Sequence, residues 1–231
     1  MIISHQLQLI FVKTRKTAGT SIEIALSRYA GPDDVITAIS DEDEALRRQV
    51  GGRGPQNDHV PLALIGRPEL STLVRRRKRP TFQNHASASR IRAGVGAATW
   101  DRYTTFTVER NPWDRAVSLY YFVRATRPHA APTFSAFLAS TPATELSNFH
   151  LYAIDGQVAV DRVVRYEALQ DGLAQVWNEV GITEELVLPH AKGAIRPTTT
   201  RDYRTQMTDQ DAEYIARVCR PEIDAFGYTF D

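Results

Sequence analysis

The segment Lys16-Thr17-Ala18-Gly19-Thr20-Ser21 combines a cation with small and hydroxyl-bearing residues, the ingredients of an anion site. It follows an apolar run, Leu7, Leu9, Ile10, Phe11 and Val12, and precedes Ile22, Ala25, Leu26 and Tyr29 at helical spacing. A loop between a buried strand and a helix offers free backbone N–H groups and the positive end of the helix dipole, which suits phosphate or sulfate. Ala18, Gly19, Thr20 and Ser21 let the backbone approach such a group closely, and Lys16 adds a mobile charge. The nucleoside triphosphate loop G-x-x-x-x-G-K-[ST] does not fit, because there is no glycine-lysine pair and Lys16 precedes Gly19.

These residues need a strand and a helix to aim them. The pattern predicts a strand over Gln6 to Val12 and a helix starting within Thr17 to Ser21, with Thr20 and Glu23 spaced as a capping box. A second core strand is expected over Tyr103 to Glu109. Asn111 and Pro112 then supply a cap and a first-turn proline for a helix whose apolar stripe is Trp113, Ala116, Val117, Tyr120 and Tyr121. Further helices are expected over Ala86 to Gly96, Thr133 to Leu138, Glu145 to Ala153, Leu169 to Val180 and Thr208 to Phe226, with a strand over Val158 to Tyr166. Alternating strands and helices imply an α/β domain, a parallel sheet covered on both faces. Residues 31–80 break the pattern with an acidic run, a Gly/Pro-rich loop and the basic run Arg75 to Arg79. That excursion either shapes an acceptor site or is a solvated insertion.

Lys16-Thr17-Ala18-Gly19-Thr20-Ser21 after an apolar strand resembles the 5′-phosphosulfate loop of sulfotransferases, in particular the carbohydrate group with the heparan 2-O-sulfotransferase-like proteins. Phe106 to Tyr120 resembles that family's 3′-phosphate motif, a strand followed by R-N-P-x-x-R-x-x-S-x-Y. Asn84-His85-Ala86, Val164 to Leu169 and Phe226-Gly227-Tyr228 are similar to family landmarks and stand in the expected order, so the resemblance runs from Phe11 to Phe230. It implies a three-layer α/β/α fold with a central parallel sheet and P-loop NTPase-like topology. It also implies sulfuryl transfer from 3′-phosphoadenosine 5′-phosphosulfate (PAPS) to an acceptor hydroxyl, with 3′-phosphoadenosine 5′-phosphate (PAP) as product.

The resemblance also distributes roles. Arg15, Lys16, Thr17, Ala18, Gly19, Thr20 and Ser21 would hold the donor's 5′ end, while Arg110 and Ser118 would hold its 3′-phosphate. An arginine fork at a strand end can grip phosphate oxygens, and a serine hydroxyl can donate to the same group. One of Lys192 and Arg196 would reach the 3′-phosphate from a basic C-terminal loop. Lys16 would act on the transferred group and His85 would be the base, with Glu109 and Glu167 ranked below it. Arg115 is either a ligand contact or a salt-bridge partner of Asp114 or a nearby loop.

Composition narrows the classes. A chain of 231 residues fits one domain, 1–231. A net charge of +1 argues against a dedicated nucleic-acid binder and confines any anion site to a local cluster. The single cysteine, Cys219, excludes an intrachain disulfide and is read as inert packing. No segment reaches about 18 apolar residues, so a soluble, cytoplasmic protein with no membrane partner is expected. No metal is implied by ligand spacing. A kinase-like phosphoryl-transfer enzyme and a non-catalytic nucleotide-binding module are the competing readings, and the acceptor, small molecule or carbohydrate, is not written in the sequence.

Overall fold

Ser4 ends the first strand because its hydroxyl, and the N–H groups of His5 and Gln6, turn inward to the buried carboxylate of Asp34 at 2.7, 2.6 and 3.2 Å. In the computed structural model, which describes residues 1–66, 77, 79–127, 133–185, 187–189, 197, 200 and 202–230, the chain therefore begins as a hairpin. Strand β1 (Ile2–Ser4) pairs antiparallel with β2 (Leu9–Phe11). The expected strand over Gln6 to Val12 is thus shorter, and its first residues belong to the turn.

Helix α1 (Gly19–Ser27) follows, then β3 (Val35–Ile36) and α2 (Asp41–Gln49). Helices α3 (Ala88–Val95) and α4 (Ala97–Arg102) lead into β4 (Thr104–Glu109) and the long α5 (Pro112–Thr126). Beyond it lie α6 (Phe134–Ser140), α7 (Ala143–Leu146), α8 (Phe149–Tyr152), β5 (Ala153–Ile154), β6 (Gln157–Val158), β7 (Arg162–Arg165), α9 (Leu169–Glu179), α10 (Asp209–Val218) and α11 (Arg220–Phe226). The five-stranded sheet has the order β3-β1-β2-β4-β7. β2, β4 and β7 run parallel as expected, but β1 is antiparallel to both its neighbours, so the sheet is mixed. Residues 31–80 also contribute β3 to the sheet edge rather than standing wholly apart from it.

Strand alternation sends side chains to both faces. On one, Ile2, Leu9, Phe11, Phe106 and Val108 pack on Ile22 and Leu26 of α1 and on Leu173 and Trp177 of α9. On the other, Ile3, Ile10 and Val12 meet Ala88 and Ile91 of α3 and Trp100 of α4. A third cluster joins Trp113, Val117 and Tyr120 to α6 and α10. Trp113, Tyr120 and Cys219 are packing residues, and burial pushes the Cys219 thiol up to about 12. No helix among the described residues is long and apolar enough to cross a membrane.

Two expected helices are broken, and both breaks matter. Thr208 to Phe226 divides at Cys219, just before Pro221, into α10 and α11. Glu145 to Ala153 divides at Ser147-Asn148.

Glu23 is not the partner of a Thr20 cap. Helix α1 starts from Ala18 with no side-chain cap, and Glu23 is fully buried, meeting the Lys13 ammonium and the Met1 amine. Burial pushes its carboxyl up, but the Met1 and Lys13 charges outweigh that and hold it at about 2. Breaking a buried ion pair on one side leaves an uncompensated charge and costs about 3–5 kcal/mol. Glu23→Ala is expected to lose that much stability in urea unfolding at neutral pH, and a loss under about 1 kcal/mol would show that the pair does not carry the fold.

Candidate functional site

The chain leaves β2 at Phe11 and stays attached to β4 for several residues more. Val12 N–H donates to the Phe106 carbonyl at 2.9 Å, the Thr107 hydroxyl donates to the Val12 carbonyl at 2.7 Å, and the Thr14 hydroxyl donates to the Val108 carbonyl. The loop that follows is left-handed at two residues that are not glycine, Lys16 (φ 61°) and Ala18 (φ 61°). Alternation of left- and right-handed residues points successive N–H groups into one concavity, a nest for an anion. Among the described helices of eight or more residues, α2, α3, α5 and α10 are capped by Ser40, Ser87, Asn111 and Thr208, whereas α1 and α9 have no side-chain cap. At α1 no side chain caps the helix start, which lies directly after the left-handed Ala18.

Lys13 explains Gly19. A Cβ at position 19 would lie 2.7 Å from Lys13 Cγ, because the lysine stem runs beneath the loop to reach Glu23. Gly19 is required for that passage and not for an unusual φ. Thr17 is buried with its hydroxyl 2.8 Å from that of Thr14, so its side chain braces the loop from inside.

Two side chains attach to the carbonyls of this short stretch. His85 Nδ1 is 3.0 Å from the Lys13 carbonyl, which can only accept, so Nδ1 carries the proton and Nε2 keeps its lone pair. Burial, joined by the Lys13, Arg15 and Met1 charges and opposed by the bond to the Lys13 carbonyl, lowers the His85 pKa to about 4. Its neighbour Asn84 supports the ion pair below, with Oδ1 3.3 Å from Lys13 Nζ and 3.1 Å from the Thr37 hydroxyl.

On the other side, Arg110 NH1 donates to the Lys16 carbonyl at 3.2 Å. Its Nε and NH2 each lie 2.7 Å from Asp114 Oδ2, and its Cζ lies 4.1 Å from the centroid of the Tyr166 ring. A guanidinium carries five N–H donors, so these contacts fix its orientation and still leave donors for an oxyanion. Lys16 Nζ rests 4.3 Å from the centroid of the Phe122 ring. Phe122 lies one helical turn beyond Ser118 on α5, which puts Lys16 and Ser118 on neighbouring surface.

Lys16, Ala18, Gly19, Thr20, Ser21, Arg110, Ser118 and His85 thus gather around one loop and the start of two helices. Arg15 is tied on its outer side to Asn148 and the Thr144 carbonyl. Lys192 and Arg196 lie outside the described residues.

Arg115 is neither a ligand contact nor a partner of Asp114. It is buried between Glu109 and Glu222, 3.4 Å from each. Glu109, also bonded to Tyr152 at 2.8 Å, faces away from the loop; burial pushes its carboxyl up to about 7 against the pull of Arg115. Glu167 accepts the Asn111 N–H at 2.7 Å, a partner 56 residues away in the chain rather than a local one. Sequence reasoning missed Lys13 and Asn148 altogether. For Glu23, the visible signal was a charge set among Ile22, Ile24 and Ala25.

A strand-to-helix nest beside an arginine at the neighbouring strand end is the architecture of α/β proteins that bind phosphate or sulfate groups. The sequence model described as "Sulfotransferase family" matches residues 1–229, and the chain belongs to that family. It is a transferase of the sulfuryl-transfer class. An uncharacterized protein of Archaeoglobus fulgidus is 33% identical over 99 residues, covering 42% of this chain and 82% of that protein. No solved structure matches the chain.

The state of His85 is open to a measurement that needs no substrate. Its imidazole NMR signals are expected to titrate at about 4, with the neutral ring protonated at Nδ1. A midpoint near the ordinary 6.5 would mean that the ring is exposed and not held on Lys13.

Proposed function

We propose that the chain is a single-domain sulfotransferase that moves a sulfuryl group from PAPS to an acceptor hydroxyl on a small molecule or, more specifically, a carbohydrate, releasing PAP. The observation that carries this reading is the convergence on the backbone from Lys13 to Lys16. A neutral histidine hangs from the Lys13 carbonyl and an oriented arginine from the Lys16 carbonyl, on either side of a nest of N–H groups. The carbohydrate acceptor is supported by the likeness of the loop and the R-N-P segment to the carbohydrate branch.

In this mechanism the amides of residues 16–21 and the hydroxyls of Thr20 and Ser21 receive the 5′-phosphosulfate. Arg110 and Ser118 receive the 3′-phosphate, joined by one of Lys192 and Arg196. The acceptor oxygen approaches sulfur in line with the bridging oxygen of the donor; the new O–S bond forms as the bridging S–O bond breaks. Lys16 and the loop amides stabilise the charge that gathers on the bridging and equatorial oxygens, worth about 10²–10³-fold per donor in other enzymes. The acceptor proton passes to His85 Nε2. The doubly anionic phosphosulfate group of the donor, placed next to His85, raises the imidazole pKa from its ligand-free position, so the base strengthens when it is needed.

Calorimetric titration tests the donor site. PAP is expected to bind, ATP to bind at least about tenfold more weakly, and Arg110→Ala to lose about tenfold or more in PAP affinity. Equal binding of ATP and PAP, or an unaffected Arg110→Ala variant, would overturn the reading in favour of phosphoryl transfer or an unrelated site. His85→Ala should lower turnover by about 10²–10⁴-fold while PAP affinity stays within about twofold, the signature of a lost base rather than a lost binding group.

A further inference from the structure

Asn148 makes a pair of hydrogen bonds that no helix or sheet demands. Its Oδ1 accepts from the Arg15 N–H at 3.1 Å and its Nδ2 donates to the Arg15 carbonyl at 3.0 Å. A fully buried side chain thus takes both backbone groups of the residue immediately before Lys16, much as a neighbouring strand would. Only a carboxamide offers a donor and an acceptor side by side, and the two contacts together fix which way the amide points.

Asn148 is itself held from below. Glu222, fully buried on α11, accepts from Asn148 N–H at 2.9 Å, Phe149 N–H at 3.2 Å and the Ser147 hydroxyl at 2.7 Å. These are the donors exposed where α7 ends and α8 begins, so Glu222 closes the break between the two helices. Arg115 reaches Glu222 and Glu109 at 3.4 Å each, and Glu109 Oε1 accepts the Arg110 N–H at 2.9 Å. Arg15 and Arg110, which flank the loop, are therefore attached to opposite ends of one buried network.

We infer that Asn148 is a positioning residue for the 5′ half of the donor site, and that Glu222 positions Asn148. The inference rests on the PAPS reading above. Left-handed backbone is unfavourable for a residue that is not glycine, so Lys16 and Ala18 keep that shape only while their surroundings enforce it. Removing the carboxamide leaves the Arg15 N–H and carbonyl without their partner and lets the loop relax, turning its amides away from the anion. The 3′ half, built on Arg110 and Ser118 of the β4–α5 junction, keeps its own supports in Asp114 and Tyr166.

The two halves can be read separately by titrating PAP, adenosine 3′-monophosphate and adenosine 5′-monophosphate. The affinity ratio of PAP to the 3′-monophosphate reports what the 5′-phosphate contributes, and the ratio of PAP to the 5′-monophosphate reports the 3′-phosphate. In Asn148→Ala the first ratio is expected to fall about tenfold and the second to stay within about twofold. Asn148→Asp keeps the volume and the acceptor but sets an oxygen against the Arg15 carbonyl; it should show the same selective loss and serves if the alanine variant does not fold. Glu222→Ala should share the loss, while Glu222→Gln, which retains an acceptor oxygen, should recover most of it. Unchanged ratios, or an equal fall in both, would overturn the inference by showing a general structural role. A wild-type protein that binds none of the three ligands would instead overturn the PAPS reading, and the positioning role with it.

Discussion

Lys16 and Ala18 adopt a backbone conformation that their side chains disfavour, and much of the surrounding structure serves to hold them in it. The cost, about 1–2 kcal/mol per residue, is comparable to the support that a few buried hydrogen bonds provide. That support comes from three directions. The Lys13 stem passes below through the space that Gly19 leaves, Arg110 grips the Lys16 carbonyl from β4, and Asn148 takes both backbone groups of Arg15. A relaxed loop would satisfy its own residues better but would no longer aim successive N–H groups at one point.

The supports are ionic where they are deepest. Glu23 lies between the Lys13 and Met1 amines under one side of the loop, and Arg115 lies between Glu109 and Glu222 under the other. Such pairs add little net stability over an apolar core, yet each is costly to break on one side, so they fix geometry more than they add stability. Their sequence separation matters as much as their strength. Glu222 comes from α11 and Asn148 from a break between two short helices, so this support reaches the loop from the C-terminal part of the chain.

The features legible in the sequence are those set by neighbours along the chain. The loop between the Leu9–Phe11 strand and α1, the Asn111 cap with Pro112, and the Trp113 to Tyr121 stripe all follow from short-range rules, and the structure bears them out. β1 escaped because its end is written in Asp34, about thirty residues away, which turns the chain at Ser4. The Thr20–Glu23 spacing fits a capping box, but the left-handed Ala18 starts the helix without one and Glu23 faces the core instead. Arg115 looked ambiguous because its partners, Glu109 and Glu222, come from β4 and α11. Asn148 gave no local signal at all, since its role exists only once it meets Arg15.

On the proposed reading, one strained loop receives the 5′ end of an adenosine bisphosphate while the neighbouring strand end receives the 3′-phosphate. A crystal structure of the complex with PAP tests it most directly. The expected result is the 5′-phosphate over the amides of residues 16–21 with Lys16 and Ala18 still left-handed, and the 3′-phosphate within hydrogen-bonding reach of Arg110 and Ser118. A nucleotide bound elsewhere, or bound in the reverse direction with its 3′-phosphate in the nest, would contradict it.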